Sequence, residues 1–156
     1  MSDEERIEDV FPALHLENQL CFSLYRLSRT VTQSYTPLLK PLDITYPQYL
    51  VLLVLWENEE EGLSSMTVSQ LTEALQLDTG TVTPLLKRME AKGILGRQRD
   101  SKDERVVLVQ LTDHGRGLRE LAKPIPAKLL CQAEMEPSEL LDLQGMLRAL
   151  LKKINP

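Results

Sequence analysis

The chain has 156 residues, of which 42% are apolar and only 4% are aromatic. This length suffices for one core without metal or disulfide support, and the leucine-rich apolar composition favours helices over a sheet-rich sandwich. The start of the chain lacks the basic segment and apolar stretch of a secretory signal, and the longest apolar run, Tyr49 to Trp56, is too short to span a bilayer. We therefore expect a mostly helical, soluble and cytoplasmic protein with no membrane partner.

The net charge of −5 argues at first against a nucleic-acid partner, because phosphate binding is driven by clustered Lys and Arg. The charge is unevenly distributed, however. Residues 79–105 carry seven basic and four acidic side chains, a net charge of +3, which leaves about −8 for the rest of the chain. Such a basic segment can dock on DNA, although it can equally be an ordinary solvated face.

A long first helix is predicted from about Leu14 to Tyr35, and Pro37 should end it. Its apolar stripe comprises Leu16, Leu20, Leu24, Leu27 and Val31. Thr45 followed by Gln48 is a capping box, which predicts a second helix over Pro47 to Asn58.

The next two helices form a pair. A polar loop over residues 57–65 leads to a second capping box, Thr67 with Gln70, which predicts a helix from Val68 to Leu75. A short turn then leads to a helix that Gly93 ends. The apolar stripe of this last helix is Val82, Leu85, Leu86 and Met89. Two such helices fit a helix-turn-helix, although helical hairpins in unrelated enzymes share the pattern.

The segment after Gly93 predicts a β-ribbon. Residues 94–99 and 105–111 read as two strands joined by the polar tip 100–104, and alternate residues of the second strand are apolar. A ribbon that directly follows a recognition helix is a wing, whose basic side chains reach phosphates or a minor groove.

The C-terminal region is predicted to be helical again. Thr112 can cap a helix, Pro124 and Pro126 should break it, and a last helix should begin near Pro137. This last helix has more apolar surface than it can bury alone, and a partner subunit would cover it. The apolar residues are Leu140, Leu143, Leu147, Leu150, Leu151 and Ile154.

The two cysteines, Cys21 and Cys131, are too few for a disulfide framework. From composition alone, a cysteine on an apolar helix face is more often an inert buried thiol than a reactive one. His15 and His114 are the only histidines, and no ligand cluster surrounds either. We expect no metal and no cofactor.

Two segments resemble the MarR family of transcriptional regulators. Residues 67–95, TVSQLTEALQLDTGTVTPLLKRMEAKGIL, resemble the helix-turn-helix of the family. Residues 97–115, RQRDSKDERVVLVQLTDHG, resemble its wing, with the D-x-R signature at Asp103 and Arg105. The resemblance implies one MarR-type domain over residues 1–156, mainly α with a small β wing.

Within this family, two further segments resemble the organic hydroperoxide resistance regulators. They are LENQLCFSLYRLSR, residues 16–29, and LDITYPQYLVLLVLWE, residues 42–57. The resemblance implies a dimer held by N- and C-terminal helices, about residues 14–36 and 113–154, around a winged helix-turn-helix of about residues 47–112.

The resemblance also implies the redox residues. Cys21 would sense the hydroperoxide, and Tyr35 and Tyr46 of the partner subunit would hydrogen-bond it, because hydroxyl donors stabilise a thiolate. Cys131 would be the resolving cysteine, which forms a disulfide with Cys21 of the other subunit.

For DNA, the resemblance implies a recognition helix that faces major-groove base edges and phosphates with Thr79, Thr81, Thr83, Lys87 and Arg88. Arg105 would enter the minor groove, where Asp103 would orient it through a charge-assisted hydrogen bond. Arg97, Arg99 and Lys102 would touch phosphates or nothing.

The expected function is that of a homodimeric repressor on a palindromic operator. An organic hydroperoxide would oxidise Cys21 to a sulfenic acid, an intersubunit disulfide with Cys131 would follow, and release of the operator would derepress a peroxide-detoxification gene. Two alternatives are a MarR-type regulator released by a small aromatic ligand and an enzyme, a thiol peroxidase.

Overall fold

The computed structural model describes residues 14–155. The predicted first helix is wrong at both ends. A 3₁₀ turn spans Leu16–Asn18, and helix α1 runs from Leu20 to Leu39. Pro37 lies inside α1, because a proline removes only one backbone donor and the next turn is held by the Lys40 N–H, which donates to the Thr36 carbonyl.

The helix-turn-helix forms as predicted. A 3₁₀ turn, Lys40–Leu42, precedes helix α2, Tyr46–Glu60, so this helix continues two residues past its predicted end at Asn58, into the predicted loop 57–65. Helix α3, Val68–Leu75, and the recognition helix α4, Thr79–Ala91, follow. Both capping boxes are present, and Gly93 adopts a φ of 68° just after α4, a conformation that glycine tolerates without strain.

The sheet has three antiparallel strands in the order β1-β3-β2, where the sequence predicted two. Strands β2, Leu95–Arg99, and β3, Val107–Leu111, form the predicted ribbon, in which Leu95 lies opposite Leu111 and Arg99 opposite Val107. Strand β1, Met66–Thr67, pairs with β3 and was not predicted, because two residues are too few for a detectable alternation.

Three helices complete the chain: α5, Asp113–Ala122, α6, Ile125–Gln132, and α7, Pro137–Ile154. The predicted cap of α5 is confirmed, since the Thr112 hydroxyl accepts a hydrogen bond from the Gly115 N–H at 3.1 Å. The predicted break between α5 and α6 is confirmed as well, with Pro124 as the N-cap residue of α6.

The core lies between α2, α3, α4, the sheet and α5, and its largest fully buried side chains include Leu52, Leu55, Leu71, Leu86, Met89 and Ile94. The terminal helices contribute little to it. Helix α1 buries only Leu39, and α7 buries none of its residues within the described part of the chain. Leu141, Met146, Leu151 and Ile154 of α7 are between 62% and 71% exposed. The protomer therefore leaves the apolar surface of its terminal helices uncovered, as the sequence predicted for the last helix.

None of the helices within residues 14–155 has, by itself, the length and hydrophobicity of a membrane span. The stretches 20–42 and 46–60 reach the required length and composition only as a pair, which is bent by 72°.

Candidate nucleic-acid interface and cysteine sites

Asp78 fixes the start of the recognition helix. Its carboxylate accepts hydrogen bonds from the Thr81 N–H at 2.9 Å and from the Thr81 hydroxyl at 2.7 Å. These bonds lower the pKa of Asp78, because they stabilise the charged carboxylate. The Thr81 hydroxyl, a predicted DNA contact, is therefore oriented by Asp78. Asp78 was not among the predicted site residues, although an Asp three residues before a helical Thr is a typical N-cap signal.

A groove of about 310 Å³ separates the recognition helix from the wing. It brings together three predicted DNA residues, Thr79, Thr83 and Arg105, with Thr67 and Ser69 from the start of α3, which were not among the predicted DNA contacts. Lys87 and Arg88 are exposed on α4, and the Arg88 Nε donates to the Pro84 carbonyl at 3.3 Å. The groove thus places hydroxyl and guanidinium donors from three elements on one face.

The wing tip is organised by its own acidic residues. Arg105 Nε and Nη2 donate to the two carboxylate oxygens of Asp103, each at 3.0 Å, and this bidentate pair lowers the pKa of Asp103. The Arg105 side chain remains 90% exposed, so the pair holds the guanidinium without hiding it. The predicted orienting bond between Asp103 and Arg105 is therefore present in the free protein.

The three other basic residues of the wing differ in their contacts. The Arg99 guanidinium donates to the Glu104 carbonyl at 2.6 Å. The backbone N–H of Lys102 donates to the Asp100 carboxylate at 2.9 Å, and its side chain is exposed. Arg97 is withdrawn from the surface by an ion pair with Glu90.

The structure brings the two predicted tyrosines together, but does not bring Cys21 to Tyr35 in one protomer. The ring centroids of Tyr35 and Tyr46 are 4.9 Å apart, and those of Tyr35 and Tyr49 are 5.7 Å apart. Cys21 and Cys131 are both free and exposed. Cys21 and Tyr35 share helix α1 fourteen residues apart, about 21 Å at the helical rise, so they cannot touch within one chain.

Burial raises the pKa of Tyr35, Tyr46 and Tyr49, and for Tyr35 the two neighbouring phenols raise it further. The three phenols therefore stay protonated at neutral pH and can donate hydrogen bonds. Tyr49, which was not among the predicted site residues, completes the cluster from the buried side of α2.

The described residues, 14–155, contain no group of three or more His, Cys, Asp or Glu side chains that could hold a metal ion.

A helix-turn-helix followed directly by a β-ribbon, with donors from both on one face, defines a winged helix-turn-helix DNA-binding protein. The comparisons with known proteins agree with this class. The family model described as "Transcriptional regulator SarA/Rot" matches residues 33–120. The organic hydroperoxide resistance transcriptional regulator of Bacillus subtilis (strain 168) is 46% identical over 149 residues, which cover 96% of this chain and 98% of that protein.

Solved structures give the same result. Reduced AbfR bound to DNA has a TM-score of 0.77 at 35% identity and covers 99% of this chain and 100% of its own; AbfR is a protein of Staphylococcus epidermidis. Disulfide-formed AbfR has a TM-score of 0.64 at 32% identity, with 99% and 97% covered. The chain belongs to the MarR family of winged-helix transcriptional regulators, and within it to the organic hydroperoxide resistance regulators. Its relatives are transcriptional regulators and not enzymes, which removes the thiol peroxidase alternative.

Proposed function

We propose that the protein is a homodimeric, cytoplasmic repressor that binds a palindromic operator and releases it when an organic hydroperoxide oxidises Cys21. The genes that it represses would include a peroxide-detoxification gene. One observation carries the proposal. Tyr35 and Tyr46 form a half-buried pair, whereas Cys21 of the same protomer is exposed and lies about 21 Å from Tyr35 along α1. Such an arrangement is functional only if a second copy brings its own Cys21 to the tyrosine pair.

The unburied terminal helices support this dimer. Helices α1 and α7 leave apolar side chains exposed along their lengths, and association of two copies would remove that surface from water. Because the pKa of each tyrosine is raised, Tyr35 and Tyr46 remain donors at neutral pH and would stabilise the partner's Cys21 as the thiolate. The thiolate is the form that attacks a peroxide.

The proposed redox reaction uses only the two thiols and the hydroperoxide. The Cys21 thiolate attacks the outer oxygen of ROOH, the O–O bond breaks, and the products are the Cys21 sulfenic acid and, after protonation, the alcohol ROH. The Cys131 thiol of the partner subunit then attacks the sulfenic sulfur, which forms a disulfide and releases water. Both thiols are exposed in the protomer, so neither is closed off from this chemistry by its own chain. AbfR, whose structure resembles this one, has been solved in a disulfide form.

In the reduced dimer, the two recognition helices would enter successive major grooves one helical turn apart, and Arg105 of each wing would enter a minor groove. Thr79, Thr81, Thr83, Lys87 and Arg88 would face base edges and phosphates, and Arg99 and Lys102 would contact phosphates at the wing tip. Formation of the disulfide would pull Cys21 away from the tyrosines, shift the terminal helices and change the spacing of the wings.

The experiment compares Cys21→Ser with Cys131→Ser in an operator gel shift with a stoichiometric hydroperoxide. Cys21→Ser should bind the operator like the parent protein and ignore the peroxide. Cys131→Ser should still form the sulfenic acid at Cys21 but no covalent dimer. A small thiol added with the peroxide should take the place of Cys131 and restore release of the operator. Peroxide release of Cys21→Ser would refute the proposal, and its failure to bind operator would show that Cys21 is structural. A Cys21→Ser variant that binds the operator and is released by a small aromatic acid would favour the ligand-responsive regulator.

A further inference from the structure

An ion pair joins the recognition helix to the wing. Glu90 lies in the last turn of α4, and Arg97 lies in the middle of β2. One carboxylate oxygen of Glu90 accepts the backbone N–H of Arg97 at 3.1 Å, and the other accepts Nε at 3.0 Å and Nη2 at 2.6 Å. Glu90 therefore accepts hydrogen bonds from both the backbone and the guanidinium of Arg97. This is the geometry of a strong charge-assisted contact.

The contact replaces a missing strand neighbour. Strand β2 lies at the edge of the sheet, where backbone N–H groups that point away from β3 have no ladder partner. The Glu90 carboxylate takes one of these donors. The side chains of Arg97 and Glu90 are only 22% and 36% exposed, so the pair is more shielded from solvent than the wing-tip pair. The hydrogen bonds from Arg97 lower the pKa of Glu90, which keeps the pair ionised at neutral pH.

The covalent link between α4 and β2 is short. It consists of residues 92–94, and Gly93 has a positive φ, a conformation that glycine adopts without strain. Arg97 also lines the groove between the two DNA-facing elements, beside Thr79, Thr83 and Arg105. The Glu90–Arg97 pair is thus placed to control the angle at which the wing leaves the recognition helix.

We propose that Glu90 and Arg97 are positioning residues for DNA binding, which hold the wing at the angle that lets α4 and Arg105 engage DNA together. The inference does not depend on the cysteine chemistry, but it rests on the proposed role of Arg105. Arg97 itself contributes no phosphate contact, because its guanidinium is already bound by Glu90. DNA-binding affinity then depends on a carboxylate, although a negative charge near DNA would by itself weaken binding.

The test uses Glu90→Gln, which has nearly the same shape and removes the negative charge. If the carboxylate only repels DNA, this variant binds the operator more tightly than the parent. The proposal predicts the opposite sign, a loss of operator affinity on the order of tenfold, which corresponds to one charge-assisted hydrogen bond. Affinity equal to or above that of the parent would overturn it.

The second arm measures Arg97→Gln alone and in an Arg105→Ala background. If Arg97 acts only by positioning Arg105, Arg97→Gln should lower operator affinity in the parent protein but hardly at all in the Arg105→Ala background. A direct phosphate contact by Arg97 would instead add its full effect in both backgrounds, and that result would refute the positioning role. If Arg105→Ala alone leaves operator affinity unchanged, the assignment of Arg105 has failed. Circular dichroism and thermal unfolding of each variant confirm that the fold is retained.

Discussion

The indole N–H of Trp56 donates a hydrogen bond to the Gly115 carbonyl at 3.0 Å, inside the core. This bond joins α2 to the first turn of α5, just after the wing. A Cβ on Gly115 would lie 2.1 Å from the Ile94 carbonyl oxygen and 3.0 Å from a Leu111 methyl group. Helix α2, the link before the wing and helix α5 therefore converge on a position that accepts only glycine.

Gly115→Ala should destabilise the protein. The added methyl group must displace backbone, so the free energy of unfolding should fall by about 1–3 kcal/mol, the usual cost of overpacking. Urea unfolding followed by circular dichroism measures this. Gly117→Ala in the same helix is the matched control, because nothing lies within 4 Å of its added Cβ, and it should be neutral or stabilising. Equal stability of the two variants would contradict the close approach at Gly115.

Arg105→Ala should weaken operator binding by about 1–3 kcal/mol, since the guanidinium would read a groove directly. Asp103→Ala should also weaken binding, although it removes a negative charge from the DNA face, because Arg105 loses the carboxylate that holds it. Fluorescence anisotropy with labelled operator measures both. Tighter binding by Asp103→Ala would show that Asp103 merely repels DNA.

Leu151→Glu should shift the protein from dimer to monomer, because a charge on the uncovered apolar surface of α7 cannot be buried against a partner. Light scattering after size-exclusion chromatography measures the mass. Leu63→Glu is the control, since Leu63 is similarly exposed but lies in the loop after α2. A Leu151→Glu variant that stays dimeric at low concentration would place the interface elsewhere.

The tyrosine cluster predicts a loss of stability at high pH. The folded-state pKa of Tyr35, Tyr46 and Tyr49 is raised, so their contribution is fully present below the unfolded value near 10 and is lost as pH rises through the folded value. The free energy of unfolding should therefore fall above about pH 10. Tyr35→Phe should make this fall shallower, and an unchanged slope in that variant would argue against the burial of Tyr35.

Local signals in the sequence were sufficient for most helices. The pairs Thr45 with Gln48 and Thr67 with Gln70 marked helix starts within a few residues, because a capping box is a contact between near neighbours. The predicted end of α1 before Pro37 was wrong, because a proline weakens a helix without always ending it.

The contacts that organise the sites were not predictable in this way. Glu90 with Arg97 and Trp56 with Gly115 join different elements, and no periodicity in the sequence relates the members of either pair. Tyr49 has the pattern of a core residue and reveals its place beside Tyr35 only in the folded chain. The proposed meeting of Cys21 with the tyrosine pair needs a second copy of the chain, so a single sequence suggests it only through resemblance.

The decisive measurement is an operator gel shift with and without stoichiometric cumene hydroperoxide, run beside non-reducing electrophoresis and peptide mapping of the same samples. If Cys21 and Cys131 act as proposed, the peroxide releases the operator and forms a covalent dimer joined by Cys21 of one subunit and Cys131 of the other, and a dithiol reverses both changes. Operator binding that peroxide leaves unchanged, with both thiols still reduced, would contradict this proposal.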